Sequence, residues 1–157
     1  MTIRLASESD LPQLTMMSEA AGSAAHWTPQ QWMDIFHIKI FGTEIPARLA
    51  WIAEKESAGN EVGGVGFLVA QNGGPEWELE NMAVLPEFCR AGVGRGLLLT
   101  LLEHARSVQA ERVLLEVRAT NLSAIRLYGL CGFQLLGKRC DYYRNPTEDA
   151  LILVHTF

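Results

Sequence analysis

The run Arg90-Ala91-Gly92-Val93-Gly94-Arg95-Gly96 joins three glycines and two arginines at the point where a strand gives way to a long helix. Glycines there let the backbone come close to a ligand. The unpaired N–H groups of a first helical turn, aided by the helix dipole, suit a phosphate or pyrophosphate. Arg90 and Arg95 add positive charge at the same place. A Walker loop is excluded, because Gly96 is followed by Leu97 where that loop needs lysine. A dinucleotide fingerprint starting at Gly92 also fails, since its third glycine would fall on Leu97. On the glycines alone a plain tight turn remains open; the arginines and the downstream residues favour phosphate.

Glu116 is the second residue that needs a reason. It interrupts the apolar run Val113–Val117, and a lone acid in such a strand calls for a partner or a task. Two readings stand: a proton acceptor, or the ion-pair partner of Arg118 or a neighbouring arginine. His26, His37, His104 and His155 have no ligand spacing, so no metal site is expected. Cys89, Cys131 and Cys140 are odd in number, form no CxxC pair and have no visible base partner. Reduced thiols in a cytoplasmic protein are the simple expectation.

The elements that must position these residues read as follows. Thr2–Leu5 alternates as a short strand, and Ser9-Asp10 opens a helix through Leu11, Leu14 and Met17 that ends near Gly22. Thr28-Pro29 reads as an N-cap followed by proline, starting a helix through Trp32, Ile35 and Phe36. Strands are expected at Leu49–Glu54, Val62–Ala70 and Trp77–Val84, with a turn at Ser57-Ala58-Gly59-Asn60 and a hairpin turn at Asn72-Gly73-Gly74-Pro75. A helix from Gly94 to about Ala110 carries Leu97, Leu98, Leu101, Leu102, Ala105 and Val108 on one face. After the Val113–Val117 strand, Asn121 caps a helix to about Cys131, stopped by Gly132. Phe133–Lys138 and Ala150–His155 close the chain. An antiparallel meander with one βαβ crossover makes this α/β (α+β): one mixed, mostly antiparallel sheet of about seven strands flanked by four helices.

Residues 1–157 are expected to form a single domain with room for a proper core. With 48% apolar and 20% charged residues, the composition is globular. A net charge of −5 speaks against a nucleic-acid binder and would suit a basic peptide or cationic amine. The acidic start and the lack of a long apolar stretch point away from export and from the membrane.

Taken in order, Glu80-Asn81-Met82-Ala83-Val84-Leu85-Pro86, the Arg90–Gly96 loop, Leu115-Glu116-Val117-Arg118-Ala119-Thr120-Asn121, and Ala124-Ile125-Arg126-Leu127-Tyr128 through Gly132-Phe133 resemble the GNAT superfamily of N-acetyltransferases. The resemblance is strong over about half the chain. Within the superfamily the chain most resembles the bacterial ribosomal-protein-alanine N-acetyltransferases, through Leu-Glu-Val-Arg-Ala-Thr-Asn, Tyr142-Tyr143, Asn145-Pro146, the Glu148–Leu153 ending and Trp27-Thr28. It departs from them at Cys89, where Gln or Arg is usual, at Glu80, where the subfamily is apolar, and at His26, where proline is usual.

The resemblance implies acetyl-CoA as co-substrate and no metal. The backbone of Met82, Ala83 and Val84 would contact the acetyl-pantetheine arm, and Arg90, Ala91, Gly92, Val93, Gly94 and Arg95 the pyrophosphate. Asn121 would also contact the coenzyme. Glu116 would accept the proton and Tyr128 donate one; Glu80, on the preceding strand, is the rival base. A splay of that strand near Val84 would free backbone groups for the thioester carbonyl. Transfer needs a neutral amine, and an α-amino group with a pKa of about 8 is mostly protonated at neutral pH, so a facing carboxylate has work to do. Tyr128 would meet the leaving thiolate, or else be an ordinary core tyrosine. The expected acceptor is the N-terminal α-amine of a protein, alanine-led and possibly from the small ribosomal subunit, and the expected assembly a monomer or weak dimer. A small-molecule amine acetyltransferase and a non-catalytic acetyl-CoA-binding module are the competing readings.

Overall fold

The computed structural model describes residues 1–22, 25–56 and 62–157. The predicted turn at Ser57-Ala58-Gly59-Asn60 lies outside them. The elements are β1 (Thr2–Leu5), α1 (Leu11–Ala21), α2 (Pro29–His37), β2 (Arg48–Glu56), β3 (Val62–Gly73), β4 (Glu76–Val84), α3 (Val93–Ser107), β5 (Arg112–Arg118), α4 (Leu122–Leu130), β6 (Gln134–Tyr143) and β7 (Glu148–Thr156). Seven strands form one sheet in the order β1-β2-β3-β4-β5-β7-β6. Every neighbouring pair is antiparallel except β4 with β5, which α3 joins as the one parallel crossover.

Local chemistry sets the boundaries. Thr28 caps α2 by accepting from the Gln31 N–H at 3.3 Å, while the Gln31 side chain accepts from the Thr28 N–H at 2.8 Å. Gly22 ends α1 with φ +62°, and the β3–β4 hairpin turns through Gly74 at φ +82°. Two expectations need correction. The α3 helix stops at Ser107 rather than near Ala110, because Gln109 takes φ +60°; Val108, expected on its apolar face, is 50% exposed. β6 runs to Tyr143, well beyond Lys138, because it is an exposed edge strand whose polar sequence carries no apolar run to read.

Two cores lie on opposite faces of the sheet. On one face Leu97, Leu98 and Leu101 of α3 and Tyr128 of α4 pack against Trp51, Leu68, Trp77, Leu115 and Val117. On the other, Leu14 and Met17 of α1 and Trp32 and Ile35 of α2 pack against Ile52, Phe67 and Val69. Each such leucine or phenylalanine contributes roughly 1.5–3 kcal/mol by leaving water. The second layer covers only the β2–β4 half of its face. Alternation along β5 turns Val113, Leu115 and Val117 toward the covered side. Leu114, Glu116 and Arg118 therefore face the other side, beyond the α1/α2 layer.

Candidate active site

The parallel ladder between β4 and β5 is short: Glu76–Leu79 pair with Arg112–Leu115 and no further. Beyond it Asn81–Val84 stay paired to β3, and Glu116–Arg118 to β7. Two strands that part inside a sheet leave facing edges of unmatched N–H and C=O groups, which a ligand can satisfy. A bulge helps to open the gap. Val69 pairs with Asn81 and Ala70 with Leu79, so Glu80 is the extra residue on β4. The opening therefore starts at Glu80, four residues before the Val84 position expected for it. Met82, Ala83 and Val84 lie along the freed stretch of β4.

The glycine loop stands at the same end. Arg90 has φ +61° and Gly92 +84°, and α3 begins at Val93 with no side-chain cap. The N–H groups of Val93, Gly94 and Arg95 have no carbonyl of their own helix to reach, whereas Gly96 bonds the Gly92 carbonyl at 2.9 Å. Arg90, Ala91, Gly92 and Arg95 are exposed, so amides and guanidinium groups share one surface. A Cβ on Gly94 would meet Leu127 Cδ2 at 3.1 Å and Val84 Cγ2 at 3.7 Å, so α3, α4 and β4 converge there. Gly96 does different work: a Cβ on it would lie 2.9 Å from Ile3 Cδ1, under β1.

Asn121 caps α4, its Oδ1 accepting from the Ala124 N–H at 3.2 Å and from Ser123 Oγ at 3.1 Å. Its Nδ2 is thereby the end left to donate outward.

Glu116 faces a pocket of about 300 Å³. Trp27, Gln31 and Asp34 wall it from the α2 side, Arg48 from β2, Glu78, Leu79 and Glu80 from β4, and Tyr142 and Tyr143 from β6. The carboxylates differ in what holds them. Glu80 is gripped at both oxygens by Arg48, at 2.6 and 2.8 Å. Glu116 pairs through Oε1 with Arg139 Nε at 2.9 Å. Arg118, the nearer candidate in sequence, goes instead to Glu148 at 3.2 Å and over the Tyr143 ring at 4.1 Å. Burial and the charges of Glu80 and Glu116 push the Glu78 carboxyl above the ordinary range. The Glu116 charge does the same to the Tyr142 phenol.

Tyr128 sits apart from this pocket, buried in the α3/α4 core with its ring 5.9 Å from that of Phe133. Burial pushes its phenol up to about 12. It and Glu116 occupy opposite faces of the sheet.

Several site residues carried no clear signal in the sequence. Asn81, only 2% exposed, accepts from the Ala25 N–H and donates to the Ala25 carbonyl, both at 3.2 Å, tying the segment before Trp27 to β4. Arg48, Asp34 and Arg139 come from three separate elements, so no local spacing links them. Among the described residues no group of three or more His, Cys, Asp or Glu side chains is placed to hold a metal ion.

The acetyltransferase (GNAT) family model matches residues 14–133, and the chain belongs to that family. It is 40% identical to the ribosomal protein bS18-alanine N-acetyltransferase of Escherichia coli over 89 residues, 55% of this chain and 60% of that protein, so the match spans well under two thirds of that relative's length. It is 30% identical to a putative bS18-alanine N-acetyltransferase of Bacillus subtilis over 135 residues, 86% of this chain and 82% of that one. The crystal structure of the E. coli ribosomal-protein-S18-alanine N-acetyltransferase superposes with a TM-score of 0.81 at 28% identity, over 99% of this chain and 92% of that one. Arabidopsis thaliana NAA60 in complex with acetyl-CoA shares the fold, with a TM-score of 0.83 at 16% identity over 99% and 98% of the two chains.

Proposed function

We propose that this member of the GNAT family is an acetyl-CoA-dependent N-acetyltransferase whose acceptor is the α-amino group of a protein N-terminus, alanine-led and belonging to a ribosomal protein. The observation that carries the reading is the parting of β4 from β5, with an uncapped helix start at one end and Glu116 facing an open pocket beside it. The names of the E. coli and B. subtilis relatives support the acceptor.

Acetyl-CoA fits the residues present. The amides of Val93, Gly94 and Arg95, with Arg90 and Arg95, suit its pyrophosphate, and the freed stretch Met82–Val84 suits the amide-bearing pantetheine arm. Asn121 has donors left for it. When bound, the coenzyme supplies the acetyl group as a thioester.

The chain's own residues do the rest. Glu116 takes the proton from the acceptor's ammonium, restoring the lone pair that attacks. Main-chain N–H groups along the open β4 edge face the charge that develops on the carbonyl oxygen. The Tyr128 phenol, kept protonated by burial, gives its proton to the departing sulfur, and the second proton that the nitrogen sheds as the amide forms leaves to water. Glu80, held at both oxygens by Arg48, shapes the acceptor pocket rather than moving protons.

Incubation with acetyl-CoA and alanine-led peptides, followed by fragment mass spectrometry, tests this. Acetyl on the α-nitrogen is the expected result; acetyl found only on lysine side chains, or only on small amines, contradicts it.

A further inference from the structure

The Glu116–Arg139 pair joins strands that are not neighbours. β7 lies between β5 and β6, so the two residues stand roughly 10 Å apart across the sheet. Glu116 is opposite Ile152 on β7 and Arg139 is opposite Ala150, so the guanidinium crosses a strand to reach the carboxylate. Its side chain is 55% exposed and that of Glu116 only 21%, so the cation stands on the solvent side of the acid. The same guanidinium lies 5.3 Å from the Tyr142 ring centre. After Arg139 the β6 register breaks. Asp141 takes φ +51°, its N–H donates to Asp149 at 2.9 Å, and Tyr142 lines the pocket. One irregularity of an edge strand thus sets both the cation and the aromatic wall at Glu116.

We infer that Arg139 is a positioning residue of the acceptor site: it holds the Glu116 carboxylate turned into the pocket through Oε1. This rests on Glu116 being the proton acceptor. The surroundings explain why a cation is needed. From β4, Glu78 and Glu80 face the pocket; from α2, Asp34; from β6, Tyr142 and Tyr143. β7 offers only Ile152 opposite Glu116, and Arg118 on β5 is engaged by Glu148 and the Tyr143 ring. Arg48 is committed to Glu80. Among the described residues, Arg139 is the cation paired with Glu116 against this concentration of negative charge. Its exposure means water screens the interaction, so the effect is moderate.

The test is kcat and KM on an alanine-led peptide for the wild type, Arg139→Gln, Arg139→Lys and Glu116→Gln, with thermal midpoints confirming folding. In Arg139→Gln kcat is expected to fall by about threefold to tenfold, with peptide KM and acetyl-CoA affinity little changed. Arg139→Lys restores most of the loss, which a purely structural role would not require. An unchanged kcat in folded Arg139→Gln, or a loss that Arg139→Lys fails to restore, overturns the inference. Wild-type turnover in Glu116→Gln would instead defeat the base assignment itself.

Discussion

Leu79 and Leu115 are the last residues that pair β4 with β5, and the site begins where they stop. Both side chains are buried in the α3/α4 core, so the point of parting is anchored. The two strands carry their candidate site residues just past it: Glu80 and Met82–Val84 on β4, Glu116 on β5. The following outcomes depend on that arrangement.

Replacing Glu116 with Gln keeps the shape and removes the base. Turnover on the amine is expected to fall about 10²-fold or more, with acetyl-CoA affinity unchanged. Glu80→Gln should mainly raise the acceptor KM, because Arg48 already occupies both its oxygens. Steady-state kinetics on both variants separates the carboxylates; equal losses in turnover would remove the distinction.

The loop glycines should not be equivalent. Gly92→Ala forces a side chain into φ +84°, at a cost of about 1–2 kcal/mol, and should weaken coenzyme binding. Gly96→Ala meets only the flexible ends of Ile3 and Met1, at 2.9 and 3.1 Å, and should leave coenzyme affinity as it is. Calorimetry on the two variants reads the difference.

Tyr128 should act as an acid throughout the working range. Its phenol is pushed up to about 12, so Tyr128→Phe should lower kcat while wild-type activity shows no tyrosine limb at mildly basic pH. The linkage sign is definite. Between about 10 and 12 the folded state binds more protons than the unfolded one, so this group's contribution to stability is full below 10 and lost as pH rises through 12. Alkaline unfolding of the wild type and Tyr128→Phe checks it.

Acid stability should depend on Asp10. Arg4 grips its two oxygens at 2.8 and 2.9 Å, and the Ser7 N–H adds a bond at 2.8 Å, which hold the carboxyl well below the usual range. A depressed folded value means stability present above the unfolded value of about 4 and lost as pH falls below it. Asp10→Asn should lower stability at pH 7 by roughly 1–3 kcal/mol and flatten its decline in acid. Denaturant titrations between pH 7 and 2 decide this.

Much of this was legible in the residues. Thr28-Pro29, Gly22, Gly74 and Gly132 mark boundaries because capping and positive φ are local chemistry. The glycine loop and Glu116 stood out for the same reason: glycine and a lone acid are unusual where they occur. The opening of β4 from β5 was not readable, because a bulge at Glu80 is fixed by pairing with β3, ten or more residues away. Arg48 and Arg139 escaped notice because their partners, Glu80 and Glu116, are 32 and 23 positions distant in sequence. Val108 was misplaced because helical spacing cannot show where Gln109 turns the chain.

The central claim is that the gap between β4 and β5, with the amides at the start of α3, receives acetyl-CoA. Titration calorimetry of the purified protein with acetyl-CoA tests it most directly. Saturable binding of one coenzyme per chain, weakened in Gly92→Ala and retained in Glu116→Gln, is the predicted result. Absence of saturable binding, or binding that Gly92→Ala leaves untouched, would contradict it.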